Sequence, residues 1–329
     1  MEKAMEGLFQ KPKGRFLGSI VEAQRFDRET LDNIFKITSS MEELVKRNAC
    51  EPILEGKIMV SLFYEASTRT RLSFESAMTR LGGKVIGTEN AKEFSSKAKG
   101  ESLEDTIKVV SGYGDVIVLR YYKKGGAKRA QRFSRVPIIN AGDGNGQHPT
   151  QALLDLYTIK KVFGEIKGLN IGLVGDLANG RTVRSLCYFL AKHFPGNKIF
   201  LVSPKEVRMK KDIKDYLNKY QVVWEEVEAK DILEIVGDLD VFYQTRVQQE
   251  RFGDDRKKLE KVKREALHLI INGKITRRMK KNAIIMHPLP RNEEICYSVD
   301  KNIRAKYFEQ ADNGLYIRMA LLSMILFGY

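Results

Sequence analysis

The run Ser67, Thr68, Arg69, Thr70, Arg71 brings three hydroxyls and two guanidinium groups together. Hydroxyls are adaptable hydrogen-bond donors, and arginine offers a planar fork that stays charged at physiological pH, so the set suits phosphate oxygens. The apolar stretch KIMVSLFYEA, residues 57–66, precedes it. RLSFESAMTRLGG, residues 71–83, follows, with Leu72, Phe74, Ala77, Met78 and Leu81 read as the apolar side of a helix that stops at Gly-Gly. The run is therefore a loop feeding a helix N-terminus, where unpaired backbone N–H groups and the positive dipole end favour an anion. A helix cap by Ser67 or Thr68 would use one hydroxyl and leave both arginines to solvent. The run matches neither a P-loop nor a GxGxxG turn.

A second candidate is His148, set between the glycine-rich AGDGNGQ and Pro149 at the expected start of a helix. A lone histidine is more often structural, but this loop-to-helix placement suits a cleft. In HPLPR, residues 287–291, His287 is read as structural, with Pro288 and Pro290 fixing the direction of the Leu289 carbonyl.

Apolar runs of strand length alternate with helix-period segments: KIMVSLF, KVIG, DVIVLR and VPIINA, then LNIGLVGD, KIFLVSP, QVVWEEV, DLDVFYQ and NAIIMHPLP. Such alternation predicts parallel sheets with crossover helices. A helix is expected over Ala152 to Phe163, closed by Gly164, with a domain boundary near Thr150. The closing NGLYIRMALLSMILFGY reads as a core helix, too short to span a membrane. The fold class expected is α/β, and 329 residues suit two domains.

The formal charge of +15 invites a nucleic-acid reading. It is disfavoured, because the excess sits in runs such as RKKLEKVKR (256–264) and KITRRMKKN (274–282), which resemble solvated helix faces and carry no interleaved aromatic platform. Three scattered cysteines, Cys50, Cys187 and Cys296, give neither a disulfide framework nor a zinc spacing. The basic N-terminal stretch lacks the apolar core of a secretory signal, and no membrane segment is found, so the cytoplasm is the default compartment; an amphipathic organelle-targeting segment is the alternative, with Glu2 and Glu6 counting against it.

Five motifs, STRTR (67–71), HPTQ (148–151), GDLANGRTV (175–183), TRVQ (245–248) and HPLPR (287–291), stand in the order and spacing of the carbamoyltransferase family. Over nearly its whole length the chain resembles the members that use L-aspartate. The resemblance implies transfer of the carbamoyl group of carbamoyl phosphate to the aspartate amine, giving N-carbamoyl-L-aspartate and phosphate in pyrimidine biosynthesis, with no metal or organic cofactor. It implies two parallel-sheet domains flanked by helices, with the C-terminal helix returning to the first: 1–149 plus 313–329 for carbamoyl phosphate, and 150–312 for aspartate.

By the same resemblance, Ser67, Thr68, Arg69, Thr70 and Arg120 hold the phosphate, and Thr70, Arg120 and His148 surround the carbonyl oxygen. Gln151 and the Leu289 carbonyl orient the carbamoyl amide, while Arg181, Arg246 and Gln248 take the aspartate carboxylates. The loop EFSSKAKGESLEDT would supply Ser95 and Lys99 to the neighbouring subunit of a homotrimer with shared active sites, Lys99 serving both substrates. The family includes bare trimers and assemblies with separate regulatory chains, and the sequence leaves that choice open. Ornithine or another amino acid as acceptor is the nearest alternative, disfavoured because a cationic amine matches Arg181 and Arg246 poorly. A non-catalytic scaffold of a pyrimidine-synthesis assembly is the other.

Overall fold

The computed structural model describes residues 17–49, 51–89 and 100–328. The chain divides into two units, one running to Leu153 and resuming at Asp312, the other Leu154–Ala311.

In the first unit, β1 (Ile58–Phe63), β2 (Lys84–Thr88), β3 (Val116–Tyr121) and β4 (Ile138–Asp143) form a sheet of order β2-β1-β3-β4. Every pairing is parallel. Strands β1, β3 and β4 are buried almost throughout, as expected of parallel strands covered on both faces. The register pairs Phe63 with Arg120 and then shifts between Leu119 and Tyr121 against β4. Arg120 thus stands at an irregularity at the C-terminal edge, a place where ladders re-aim side chains.

Around this sheet lie α1 (Arg28–Lys46), α2 (Thr68–Arg80), α3 (Leu103–Val110) and α4 (Gly126–Gln131). Helix α2 buries Thr70, Phe74, Ala77 and Met78. Leu72, expected on that face, is 56% exposed. At about 100° per residue it points away from Phe74, Ala77 and Leu81, so the helical period, and not its apolar type, decides its exposure.

Helix α5 (Pro149–Phe163) begins at Pro149, before the expected Ala152, and the change of unit falls inside it. The second sheet comprises β5 (Asn170–Val174), β6 (Lys198–Ser203), β7 (Val223–Glu228), β8 (Val241–Gln244) and β9 (Ile284–Met286). Its order is β7-β6-β5-β8-β9, again all parallel. The order reverses between β5 and β8, the switch point beside which open α/β sheets bind ligands. The adjoining β5, β8 and β9 therefore deliver GDLANGRTV, TRVQ and HPLPR at one sheet edge.

Helices α6 (Arg181–His193), α7 (Lys211–Lys219), α8 (Ile232–Ile235), α9 (Arg256–Ala266) and α10 (Gly273–Arg278) complete the second unit. A core built on Val174, Phe200, Phe242, Ile285 and Tyr307 supports its sheet. The second change of unit falls inside α11 (Tyr307–Leu326). The part of α11 from Asp312 onward belongs to the first unit, where the Arg318 guanidinium lies 5.0 Å from the Phe74 ring centroid.

Candidate functional site

Ser67 occupies the N-cap position of α2 with extended φ of −161°, yet its side chain makes no capping hydrogen bond. The simple-cap reading therefore fails, and the N-terminal N–H groups of α2 are not closed off by the hydroxyl at their head. Arg69 is exposed, and no carboxylate pairs with it among the described residues. Partial burial lowers its pKa from the ordinary 12.5, a change that leaves it cationic near neutrality.

Arg71 goes elsewhere. Its Nε donates to Glu75 Oε1 at 2.7 Å, its Nη1 pairs with Glu89, and Ser61 donates to the same Glu75 oxygen at 3.0 Å. The second guanidinium of the run is thus an anchor for α2, and the phosphate-suited set reduces to Ser67, Thr68, Arg69 and Thr70.

Thr70 is buried, and its Oγ1 lies 3.5 Å from His148 Nε2. His148 is buried too, with Nδ1 3.4 Å from Thr150 Oγ1, and its carbonyl accepts from the Gln151 N–H at 3.0 Å in the first turn of α5. The glycine-rich loop before His148 is built by Asp143, which accepts from the N–H groups of Gln147 (2.6 Å) and Gly125 (2.8 Å). Gly144 is required there: its φ is +53°, and a Cβ would stand 2.6 Å from the Tyr122 carbonyl oxygen. Arg120 donates to the Ala141 carbonyl at 3.2 Å and lies 3.8 Å from Glu65. Its chain neighbourhood joins the loop that leads to Ser67, since Tyr64 N–H donates to the Arg120 carbonyl at 2.9 Å.

In the second unit Arg181 is the first residue of α6, behind Gly180, and is half-buried. Arg246 follows β8 and donates through both Nη atoms to Glu250. That hydrogen bond is the main cause raising its pKa above the ordinary value. The buried Asp176 accepts from Gln248 N–H at 3.2 Å and from Asn179 N–H at 3.1 Å, so one carboxylate joins the loops that carry Arg181 and Arg246. Burial raises its pKa, and these hydrogen bonds only partly offset the effect. Gly175 has φ of +115°, and a Cβ there would stand 2.4 Å from the Thr245 carbonyl oxygen; the two strand ends pass too closely for any side chain.

Leu289 adopts φ of +51° before a cis bond to Pro290. His287, read as structural, has a definite contact here: Leu289 N–H donates to its Nδ1 at 2.8 Å. Ser95 and Lys99 lie outside the described residues. Among the described residues no three His, Cys, Asp or Glu side chains cluster to hold a metal ion.

The family model described as "Aspartate/ornithine carbamoyltransferase, carbamoyl-P binding domain" matches residues 19–161, and that of the "Asp/Orn binding domain" matches 167–325. The chain belongs to the aspartate/ornithine carbamoyltransferase family. Among its relatives, the Pisum sativum protein named aspartate carbamoyltransferase 2, chloroplastic, is 55% identical over 313 residues, spanning 95% of this chain and 80% of the relative. The aspartate transcarbamoylase of Trypanosoma cruzi, solved with carbamoyl phosphate and separately with carbamoyl aspartate and phosphate, superposes with TM-score 0.89 at 38% identity, covering 94% of this chain and 96% of that one. The catalytic subunit of Methanocaldococcus jannaschii aspartate transcarbamoylase gives TM-score 0.85 at 47% identity, covering 94% and 98%. The two parallel-sheet units are those of this carbamoyltransferase family, in the matched order.

Sequence reasoning missed Asp176, Glu250 and the ring of His287 as supports for site residues. The only advance signals were a carboxylate inside GDLANGR and an acidic residue four positions after Arg246.

Proposed function

We propose that this chain transfers the carbamoyl group of carbamoyl phosphate to the α-amine of L-aspartate, giving N-carbamoyl-L-aspartate and phosphate. The observation that carries the reading is the uncapped N-terminus of α2, with Thr70 directed to His148 in the same unit. Ser67, Thr68, Arg69, Thr70 and Arg120 bind the phosphate. Thr70, Arg120 and His148 donate to the carbonyl oxygen, where negative charge grows as the amine attacks. Gln151 and the Leu289 carbonyl orient the carbamoyl NH2. The new C–N bond forms as the C–O bond to phosphate breaks, and the departing phosphate accepts the amine proton, so His148 serves as a donor rather than as a base.

Arg181, Arg246 and Gln248 receive the two carboxylates of aspartate. A cationic ornithine side chain has no matching anion in this set. We propose that Ser95 and Lys99 come from the neighbouring subunit of a homotrimer. Support for association is the apolar surface left on the first unit, where Leu72 is 56% and Ile86 43% exposed. The product places the enzyme in pyrimidine synthesis. No helix of the described residues is long and apolar enough to cross a membrane. We propose the cytoplasm as its compartment, a reading that the chloroplastic relatives oppose and that localisation of the full-length protein tests.

The test of function is phosphate release from carbamoyl phosphate with L-aspartate or L-ornithine, using Arg246→Ala as control. Aspartate-dependent release that collapses in the variant supports the reading. Ornithine-dependent release overturns the second-substrate assignment, and silence with both in a folded protein overturns the activity.

A further inference from the structure

Leu289 sits in a left-handed conformation that residues with a Cβ avoid, so something must hold it there. The most direct hold is the imidazole two residues earlier. A backbone N–H can only donate, so the Leu289 N–H at 2.8 Å makes Nδ1 of His287 the unprotonated nitrogen. The ring proton then belongs on Nε2, which lies 2.8 Å from Glu294 Oε1.

Glu294 is fixed in turn, because both its oxygens accept from the Asn292 N–H at 3.2 Å. His287 is buried, and its own N–H donates to Gln310 Oε1 at 2.8 Å. Gln310 donates to Asp155 at 2.6 Å, and Asp155 also accepts from the Tyr243 hydroxyl at 2.8 Å. The imidazole is thus held at its backbone and at Nε2, with Nδ1 left to grip the peptide that enters Leu289.

We propose that His287 is a positioning residue of the carbamoyl subsite, locked by Glu294 as its Nε2–H tautomer so that Nδ1 fixes the Leu289 peptide and hence the aim of the Leu289 carbonyl. The proposal rests on the reading that this carbonyl accepts a hydrogen bond from the carbamoyl NH2. The N–H belongs to the peptide entering Leu289 and the carbonyl to the peptide leaving it, so the hold on the first acts on the second through the rotation at Leu289, whose φ is +51°. His287 itself need not touch carbamoyl phosphate.

The test uses the full-length protein and two phosphate esters that differ at one group. Acetyl phosphate carries a methyl where carbamoyl phosphate carries NH2. Calorimetric affinities for both are measured on wild type, His287→Leu and His287→Asn, with inorganic phosphate as a third probe. The expected result is that wild type prefers carbamoyl phosphate and that His287→Leu loses roughly tenfold of that preference, the worth of one aligned hydrogen bond. His287→Asn should restore most of it, since its side-chain oxygen can replace Nδ1 as acceptor. Phosphate affinity should stay within about twofold throughout, as its ligands lie on α2 and β3.

Full discrimination in a folded His287→Leu overturns the role of His287 while leaving the Leu289 reading intact. Equal binding of the two esters by wild type overturns the Leu289 reading, and the proposal with it. If His287→Leu does not fold, nitrogen NMR of wild-type protein labelled at its four histidines decides the matter. A protonated Nδ1 at His287 overturns the proposal, and an unprotonated one supports it.

Discussion

Gln248 donates its backbone N–H to Oδ2 of Asp176 at 3.2 Å, tying the loop after β8 to the loop after β5. The other oxygen of Asp176 accepts from Asn179 N–H at 3.1 Å, two residues before Arg181. A buried carboxylate thereby sets the spacing of the residues proposed to grip a dicarboxylate, and the unfavourable burial of its charge is tolerated for that geometry. Replacing Asp176 by Ala should cost about 1–3 kcal/mol of stability, as two backbone donors lose their acceptor. It should also lower kcat/KM for aspartate on the order of a hundredfold, with carbamoyl-phosphate affinity nearly unchanged. Steady-state kinetics beside binding calorimetry check this; equal losses for both substrates would refute the division of labour.

Arg69 and Arg71 stand two residues apart and should behave oppositely. Arg71 is bound to Glu75 and Glu89, so Arg71→Ala should lower the thermal midpoint while phosphate affinity stays within about threefold. Arg69 has no such structural duty, so Arg69→Ala should leave the midpoint unchanged. It should cut kcat on the order of a hundredfold or more, as the ligand proposed for the transition-state charge is lost. Thermal melts and single-substrate kinetics on the two variants decide between them.

The contrast shows what was legible. STRTR pointed to the proposed anion site through residue type alone, and strand alternation placed that run beside a parallel sheet. The fate of Arg71 was only half visible: Glu75 is one helical turn away, but Glu89 stands just past the end of β2, brought near by a parallel register that no local pattern encodes. The contact that His287 makes was hidden for a similar reason. Its ring matters because Leu289 has φ of +51°, a backbone state that its apolar side chain gives no cause to expect. Arg181 and Arg246 could be foreseen at strand ends, whereas the carboxylate joining their loops required the strand order β5-β8 to be known.

Glu294 supplies a pH test. Burial acts to raise its pKa, but the hydrogen bonds from His287 and the backbone N–H of Asn292 more than offset this, leaving it below the ordinary 4.5. In the folded protein it therefore binds fewer protons than in the unfolded chain just below pH 4.5. The stability it contributes is fully present above that pH and is lost as pH falls through the lowered folded value. Compared with Glu294→Gln, wild type should show a constant excess in thermal midpoint above pH 4.5 that shrinks on acidification. An excess that grew on acidification would contradict the assignment.

The pairing of Arg246 with Glu250 invites the thought that the glutamate blocks the site. The geometry argues for positioning instead. Glu250 takes one N–H from each Nη atom, and a guanidinium carries five, so donors remain for a substrate carboxylate while the fork is held in plane. The pair is four residues apart in sequence and partly exposed, so its worth to stability is small. Glu250→Ala should accordingly leave the thermal midpoint nearly unchanged and raise KM for aspartate roughly tenfold, because the freed arginine must be ordered by the substrate itself. Succinate, which has both carboxylates but no amine, should lose inhibitory affinity in parallel. Were Glu250 a competitor for the fork, both ligands would bind Glu250→Ala more tightly than wild type, and inhibition titrations with succinate separate these outcomes without dependence on the chemical step.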